Sequence, residues 1–118
     1  MTKNTESTKY VSERQENYIA KFLGGYVQPG SGNGKFKKSD VVVNDFLIEC
    51  KTAMTPKTQF SVKKEWLEKL KAEALMNHKD VHALAFNFGG EEKNNYFVVD
   101  EQTFRTLKFA YDDFIKRS

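Results

Sequence analysis

The sequence predicts an α/β domain: a mixed central β-sheet flanked by helices, in the order α-β-β-β-α-β-β-α. Three observations carry this expectation. Two apolar runs, Val41–Val43 and Phe46–Ile48, are separated only by the turn pair Asn44-Asp45. Two other stretches, 12–23 and 61–77, space their apolar residues as helices do. The composition, 39% hydrophobic with ten Phe and five Tyr, can supply a core for 118 residues, a length that suits one domain.

Each element has its own justification. Residues 1–11 are polar and are expected to form a flexible N-terminal arm, leaving 12–118 as the single domain. Ser12 is a capping type for a helix to Leu23, where Gly24-Gly25 stops it. Its Tyr18, Ile19, Phe22 and Leu23 form one stripe. Tyr26–Gln28 fits a short strand, and Pro29–Gly34 a glycine-rich loop. The strands Val41–Val43 and Phe46–Lys51 follow. Met54–Gln59, with Pro56, connects to a helix capped by Ser61 that ends near Asn77. Val81–Phe88 and Tyr96–Val99 fit strands around a polar turn. A last helix starts at Asp100 or Thr103 and runs through Ile115.

Composition excludes several classes. No apolar run approaches the roughly 18–20 residues of a membrane span, so no membrane partner is expected. The first residues lack the apolar core of a secretory signal. A single cysteine, Cys50, leaves no internal disulfide and no cysteine-rich zinc site. The simplest compartment is a reducing cytoplasm. The net charge is +3, but it is unevenly spread: residues 35–71 hold nine lysines and five acids. Lysine suits sequence-independent attraction to phosphates, and it equally suits a solvated helix face.

The stretch from Ser39 to Lys51 carries the chemistry. A two-residue turn at Asn44-Asp45 pairs Val43 with Phe46, Val42 with Leu47, Val41 with Ile48 and Asp40 with Glu49. Directly opposed residues have Cβ atoms about 4.5–5.5 Å apart. Alternation adds Lys51 to the face of Glu49 and gives the other face to Val41, Val43, Phe46, Ile48 and Cys50. Opposed carboxylates repel, and a divalent cation between them reverses the sign. Hard oxygen donors at this spacing suit Mg²⁺ or Mn²⁺. The neighbouring lysine then sits where it can hold water or neutralise charge on a phosphate. The same triplet also fits an ordinary ion pair at an exposed strand end.

Asp40 followed by Glu49-Cys50-Lys51 resembles the Asp…Glu-x-Lys signature of the PD-(D/E)XK nuclease superfamily. Glu16–Gly25, Pro29-Gly30-Ser31-Gly32, Lys38-Ser39-Asp40, Ile48–Thr52 and Ser61–Leu67 together are similar to small phage nucleases akin to archaeal Holliday-junction resolvases. Ser39 departs from the Pro or Gly that usually precedes the aspartate, and the helix from Glu101 has no counterpart.

The resemblance implies a restriction-endonuclease-like core. It implies a Mg²⁺-dependent, structure-selective endodeoxyribonuclease with Mn²⁺ as substitute, a resolvase of branched DNA that works as a homodimer in the host cytoplasm. A duplex or flap nuclease of the same fold, or a DNA-binding module without turnover, are the alternatives. Asp40 and Glu49 match the metal-binding carboxylates, and Lys51 the catalytic lysine. Glu16 matches a first-helix acid at the metal, a role that Glu13, one turn earlier on the same face, could also take. The Cys50 carbonyl would be a further metal ligand. Ser31 and Gly32 match the loop near the scissile phosphate, and Lys35, Lys37, Lys38, Lys63 and Lys64 are expected to meet DNA. Trp66 and the Cys50 side chain are expected in the core. His78 and His82 straddle a helix-to-strand change and are not expected to pair on a metal.

Overall fold

The computed structural model describes residues 3–29 and 40–118. Its elements, in chain order, are α1 (Lys3–Leu23), β1 (Tyr26–Val27), β2 (Val41–Val43), β3 (Phe46–Thr52), α2 (Lys64–Met76), β4 (Val81–Asn87), β5 (Tyr96–Val98) and α3 (Glu101–Arg117). The order of helices and strands is the expected one. The five strands form one sheet in the order β1-β2-β3-β4-β5. β3 and β4 run parallel, and the other three pairings are antiparallel. The parallel pair requires a crossover, and α2 provides it.

The hairpin follows the register read from its turn: Val41 faces Ile48, Val42 faces Leu47 and Val43 faces Phe46. Asn44 takes a positive φ of 49° to close it. Strand alternation then splits the core in two. On one face Val41, Ile48, Cys50 and Ala85 pack with Ile19 and Ala20 of α1. On the other, Val42, Leu47 and Leu84 pack with Leu70 and Ala74 of α2. β3 is therefore covered on both sides, which is why it reads as a nearly continuous apolar run.

The stop of α1 works as expected. Gly24 adopts φ 77°, its N–H donates to the Lys21 carbonyl at 3.3 Å, and the Gly25 N–H donates to Ala20 at 2.8 Å. That is a Schellman closure. Gly25 has a second reason to lack a side chain, because a Cβ there would lie 2.3 Å from the Val42 carbonyl oxygen of β2.

Three local expectations are corrected. The first helix begins at Lys3 and not at Ser12, so residues 3–11 of the expected arm are helical. A polar composition is no helix breaker, and neither Gly nor Pro occurs before Gly24. The buried face of α1 is Gln15, Glu16, Ile19 and Ala20, while Phe22 is 65% exposed and stacks on Tyr18. The cap of α2 is Lys63, with no side-chain hydrogen bond, and not Ser61. Phe60 stacks on Phe86, and Val62 packs into the α2-side core, which holds this segment extended for two residues longer. α3 starts just after Asp100, one of the two expected starting points, which caps it by accepting from the Thr103 N–H at 2.8 Å. Among the described residues no helix is long and apolar enough to cross a membrane.

Candidate active site

The hairpin brings the two sequence-predicted carboxylates together on the α2 side of the sheet. They are not at an exposed strand end: Asp40 is 0% and Glu49 2% exposed. The surface ion-pair alternative therefore fails on burial. α2 adds a third acid that the sequence did not suggest. One carboxylate oxygen each of Asp40, Glu49 and Glu73 lie within 4.8 Å of one another. Three carboxylates, those of buried Asp40 and Glu49 and half-buried Glu73, offer hard oxygen donors only, a donor set that suits a divalent cation such as Mg²⁺ or Mn²⁺.

Lys51 shares that face, as alternation requires. Its Nζ lies 3.4 Å from Glu49 Oε2. It also sits 4.5 Å from the centroid of the Trp66 ring of α2. Trp66 is thus a core residue on one side and a seat for the lysine ammonium on the other, a cation–π arrangement. Lys63, expected from the sequence to meet DNA, lies 5.7 Å from the same ring. Lys64, of the same expected set, pairs with Glu68 at 3.8 Å on the surface of α2. Ser31, Gly32, Lys35, Lys37 and Lys38 lie outside the described residues.

Glu16 is 8% exposed, whereas Glu13 is exposed, so burial separates the acid the resemblance matched from its neighbour one turn earlier. Yet Glu16 belongs to α1, which packs on the opposite face from α2, and it is not among the three gathered carboxylates. Its charge reaches Cys50, as do those of Glu49 and Asp40. Burial first, then the negative charges of Glu16, Glu49 and Asp40, push the Cys50 thiol well above its ordinary 9.0. The thiol stays protonated and behaves as a small core side chain, as expected. Glu73 joins Asp40 and Glu49 from α2. One sequence signal for it existed: Glu73 is seven residues after Trp66 and adjoins the apolar Leu70 and Ala74, so it is an acid on a core-facing stripe.

A buried amide network fixes the backbone under Lys51. Gln15 of α1, 2% exposed, donates to the Lys51 carbonyl at 2.8 Å and to Asn95 Oδ1 at 3.0 Å. Asn87, at the end of β4, donates to Asn95 Oδ1 at 3.2 Å and to the Lys93 carbonyl at 2.9 Å. Asn87 Oδ1 accepts from the Gly89 N–H at 2.7 Å, so the 88–95 loop is tied to both β4 and α1. Gln15→Leu keeps the bulk and removes both donors. It is expected to cost about 1–3 kcal/mol, the penalty for buried acceptors that lose a donor. A shift of the urea midpoint at unchanged slope measures this. A midpoint equal to that of the unsubstituted protein would show that the network carries no stability.

His78 follows α2 with φ 58°, and His82 lies in β4, 3.6 Å from Asp100 Oδ2. No family model, no curated protein and no solved structure matches this chain. The class is therefore defined by fold and site alone: an α/β domain that gathers three carboxylates beside a lysine, on the helix-covered face of a mixed sheet.

Proposed function

We propose that the protein is a Mg²⁺-dependent endodeoxyribonuclease of the PD-(D/E)XK kind, acting on branched DNA as Holliday-junction resolvases do. One observation carries the reading. Asp40 and Glu49 are brought together in a buried place, with the Lys51 ammonium 3.4 Å from Glu49. Burying carboxylates side by side costs several kcal/mol unless charge balances them. A divalent cation held by Asp40, Glu49 and Glu73, with the Cys50 carbonyl as a further donor, supplies that balance. When bound, it places positive charge on a scissile phosphate and favours attack by water.

The chain's own groups do the rest. Lys51 points its ammonium along the carboxylate face, where it can orient water or neutralise charge building on a non-bridging phosphate oxygen. Trp66 holds that ammonium from the α2 side. Lys63, at the start of α2, extends the positive charge toward a DNA backbone. Water adds to phosphorus and one ester P–O bond breaks, giving a phosphate monoester and an alcohol. The preference for branched DNA rests on the resemblance of the ordered residue set around Glu16, Ser31, Asp40 and Glu49.

Incubation with Mg²⁺ and labelled junction, flap, duplex and single-stranded DNA, at one fixed salt, tests the reading. Cleavage of the junction in preference to the duplex, abolished by EDTA, is the expected result. Equal cutting of duplex would make this a general nuclease. Binding without cleavage would leave a DNA-binding module and refute the enzymatic reading.

A further inference from the structure

We infer that a ladder of aromatic rings beside Lys51 is a stacking site for an unpaired nucleobase, with Tyr96 as the ring on which the base lies. The choice of DNA as the strand that carries the base rests on the nuclease reading. The stacking chemistry comes from the rings themselves.

The sheet places the ladder. Lys51 of β3 is in register with Phe86 of β4, and Phe86 with Tyr96 of β5. Residues in register share a face, so all three lie on the α2 side, where Phe86 packs against that core. Neighbouring strands are about 4.8 Å apart, which sets Tyr96 roughly 10 Å from Lys51 along one row. That keeps it within reach of the nucleotides next to a phosphate held at Lys51.

The rings are aligned in advance. Phe86 stacks on Phe60, with centroids 4.9 Å apart at 20°, and on Tyr96, 5.6 Å apart at 24°. Phe88 meets Phe86 and Tyr96 edge-on, at 5.3 and 5.6 Å. At the inner end Phe60 lies 6.4 Å from Trp66, the ring beside the Lys51 ammonium. Phe60, Trp66, Phe86 and Phe88 are half-buried, but Tyr96 is 55% exposed. A ring held by two neighbours and open to solvent offers its π-surface without a further cost of ordering it.

Charge points to a nucleotide as the occupant. Residues 51–64 carry four lysines and no acid. Lys63 lies over Trp66, and the Lys57 N–H donates to the Phe88 carbonyl at 2.8 Å, which sets Lys57 beside the ladder. Both lysines are exposed, and neither forms an ion pair among the described residues. The acids of the adjoining loop are engaged elsewhere: Glu92 pairs with Arg14 of α1, and Glu91 accepts from Asn94. Aromatic rings flanked by ammonium groups match a base and its phosphate, whatever the base. A base within a duplex is covered by its neighbours and must be unstacked before it can enter such a site. The ladder therefore selects strands with an unpaired nucleotide beside the cleavage point, as at a flap or an opened branch.

Fluorescence anisotropy at one fixed salt tests this, with EDTA present so that no strand is cut. The probes are a labelled oligothymidylate, an abasic deoxyribose-phosphate strand of the same length, and a blunt duplex. The oligothymidylate is expected to bind at least about fivefold more tightly than the abasic strand, the lower end of one base–aromatic stack. Tyr96→Ala and Tyr96→Leu should erase that difference, and Tyr96→Trp should keep it. Leucine retains apolar bulk on the strand, and an unchanged urea transition shows that its fold is intact. Duplex affinity should change less than about twofold in every variant, because paired bases do not reach the ring. Equal binding of the oligothymidylate and the abasic strand overturns the inference, as does binding of neither. A base preference that survives Tyr96→Leu, or a loss shared equally by all three probes, overturns it too. Loss of base dependence in a chain that still cuts DNA removes this inference alone. A base-dependent chain that cuts no DNA keeps it and refutes the enzymatic reading.

Discussion

Asp40→Asn is expected to lower Mg²⁺-dependent cleavage of branched DNA by at least about a thousandfold, equivalent to roughly 4 kcal/mol of lost transition-state stabilisation. The substitution keeps the shape of the side chain and removes one negative oxygen from a residue that is 0% exposed. The fold should persist, because Val41 and Val42 beside it keep both core faces filled. Stability gives a second readout. A cation that binds only the folded chain stabilises it by about 2.7 kcal/mol at a hundred times its dissociation constant. Mn²⁺ should therefore raise the unfolding midpoint of the unsubstituted protein and leave the variant nearly unmoved. In the absence of metal the sign reverses. Asp40→Asn removes one of three like charges gathered within 4.8 Å, so the metal-free variant should be the more stable of the two. Equal Mn²⁺ affinity in the Asp40→Asn, Glu49→Gln double variant would show that these carboxylates hold no cation.

Lys51→Met is the second large effect, and it should fall on rate and not on affinity. The lysine side chain is 30% exposed, with its ammonium between Glu49 and the Trp66 ring. Methionine fills the same space and packs its thioether well against an aromatic ring, so the fold and the neighbouring Lys63 stay in place. Groups that assist proton transfer or charge development contribute about 10²–10⁴-fold. Single-turnover cleavage should drop by that range, while the DNA dissociation constant at fixed salt changes less than about twofold, the size of one lost phosphate attraction partly screened by solvent. Near-normal cleavage by this variant would remove Lys51 from the chemical step. A rate loss matched by an equal affinity loss would make it a DNA-binding residue only.

By itself the sequence determined what short-range rules determine. The Asn44-Asp45 turn and the two-residue period of strands set the pairing of Val41 with Ile48 and of Val42 with Leu47. From that register alone Asp40, Glu49 and Lys51 fall on one face. Gly24-Gly25 ended α1 for the same kind of reason, a left-handed residue and two carbonyl bonds within six residues. The tertiary structure decided whatever depends on which helix covers which face. α2 lies over the carboxylates, so Glu73 joins Asp40 and Glu49, while α1 buries Glu16 where its charge reaches Cys50. Burial on that face converts a pattern that fits a surface ion pair into a gathered acidic site. Phe60 and Val62 keep the start of α2 extended past Ser61, because their contacts are with β4 and the core, not with chain neighbours. Helical spacing showed that α3 has an apolar stripe, but spacing is the same whether a stripe meets the domain's own sheet or another chain. Only the packed arrangement leaves Phe104, Tyr111 and Phe114 facing outward, since the sheet's two faces are already filled by α1 and α2.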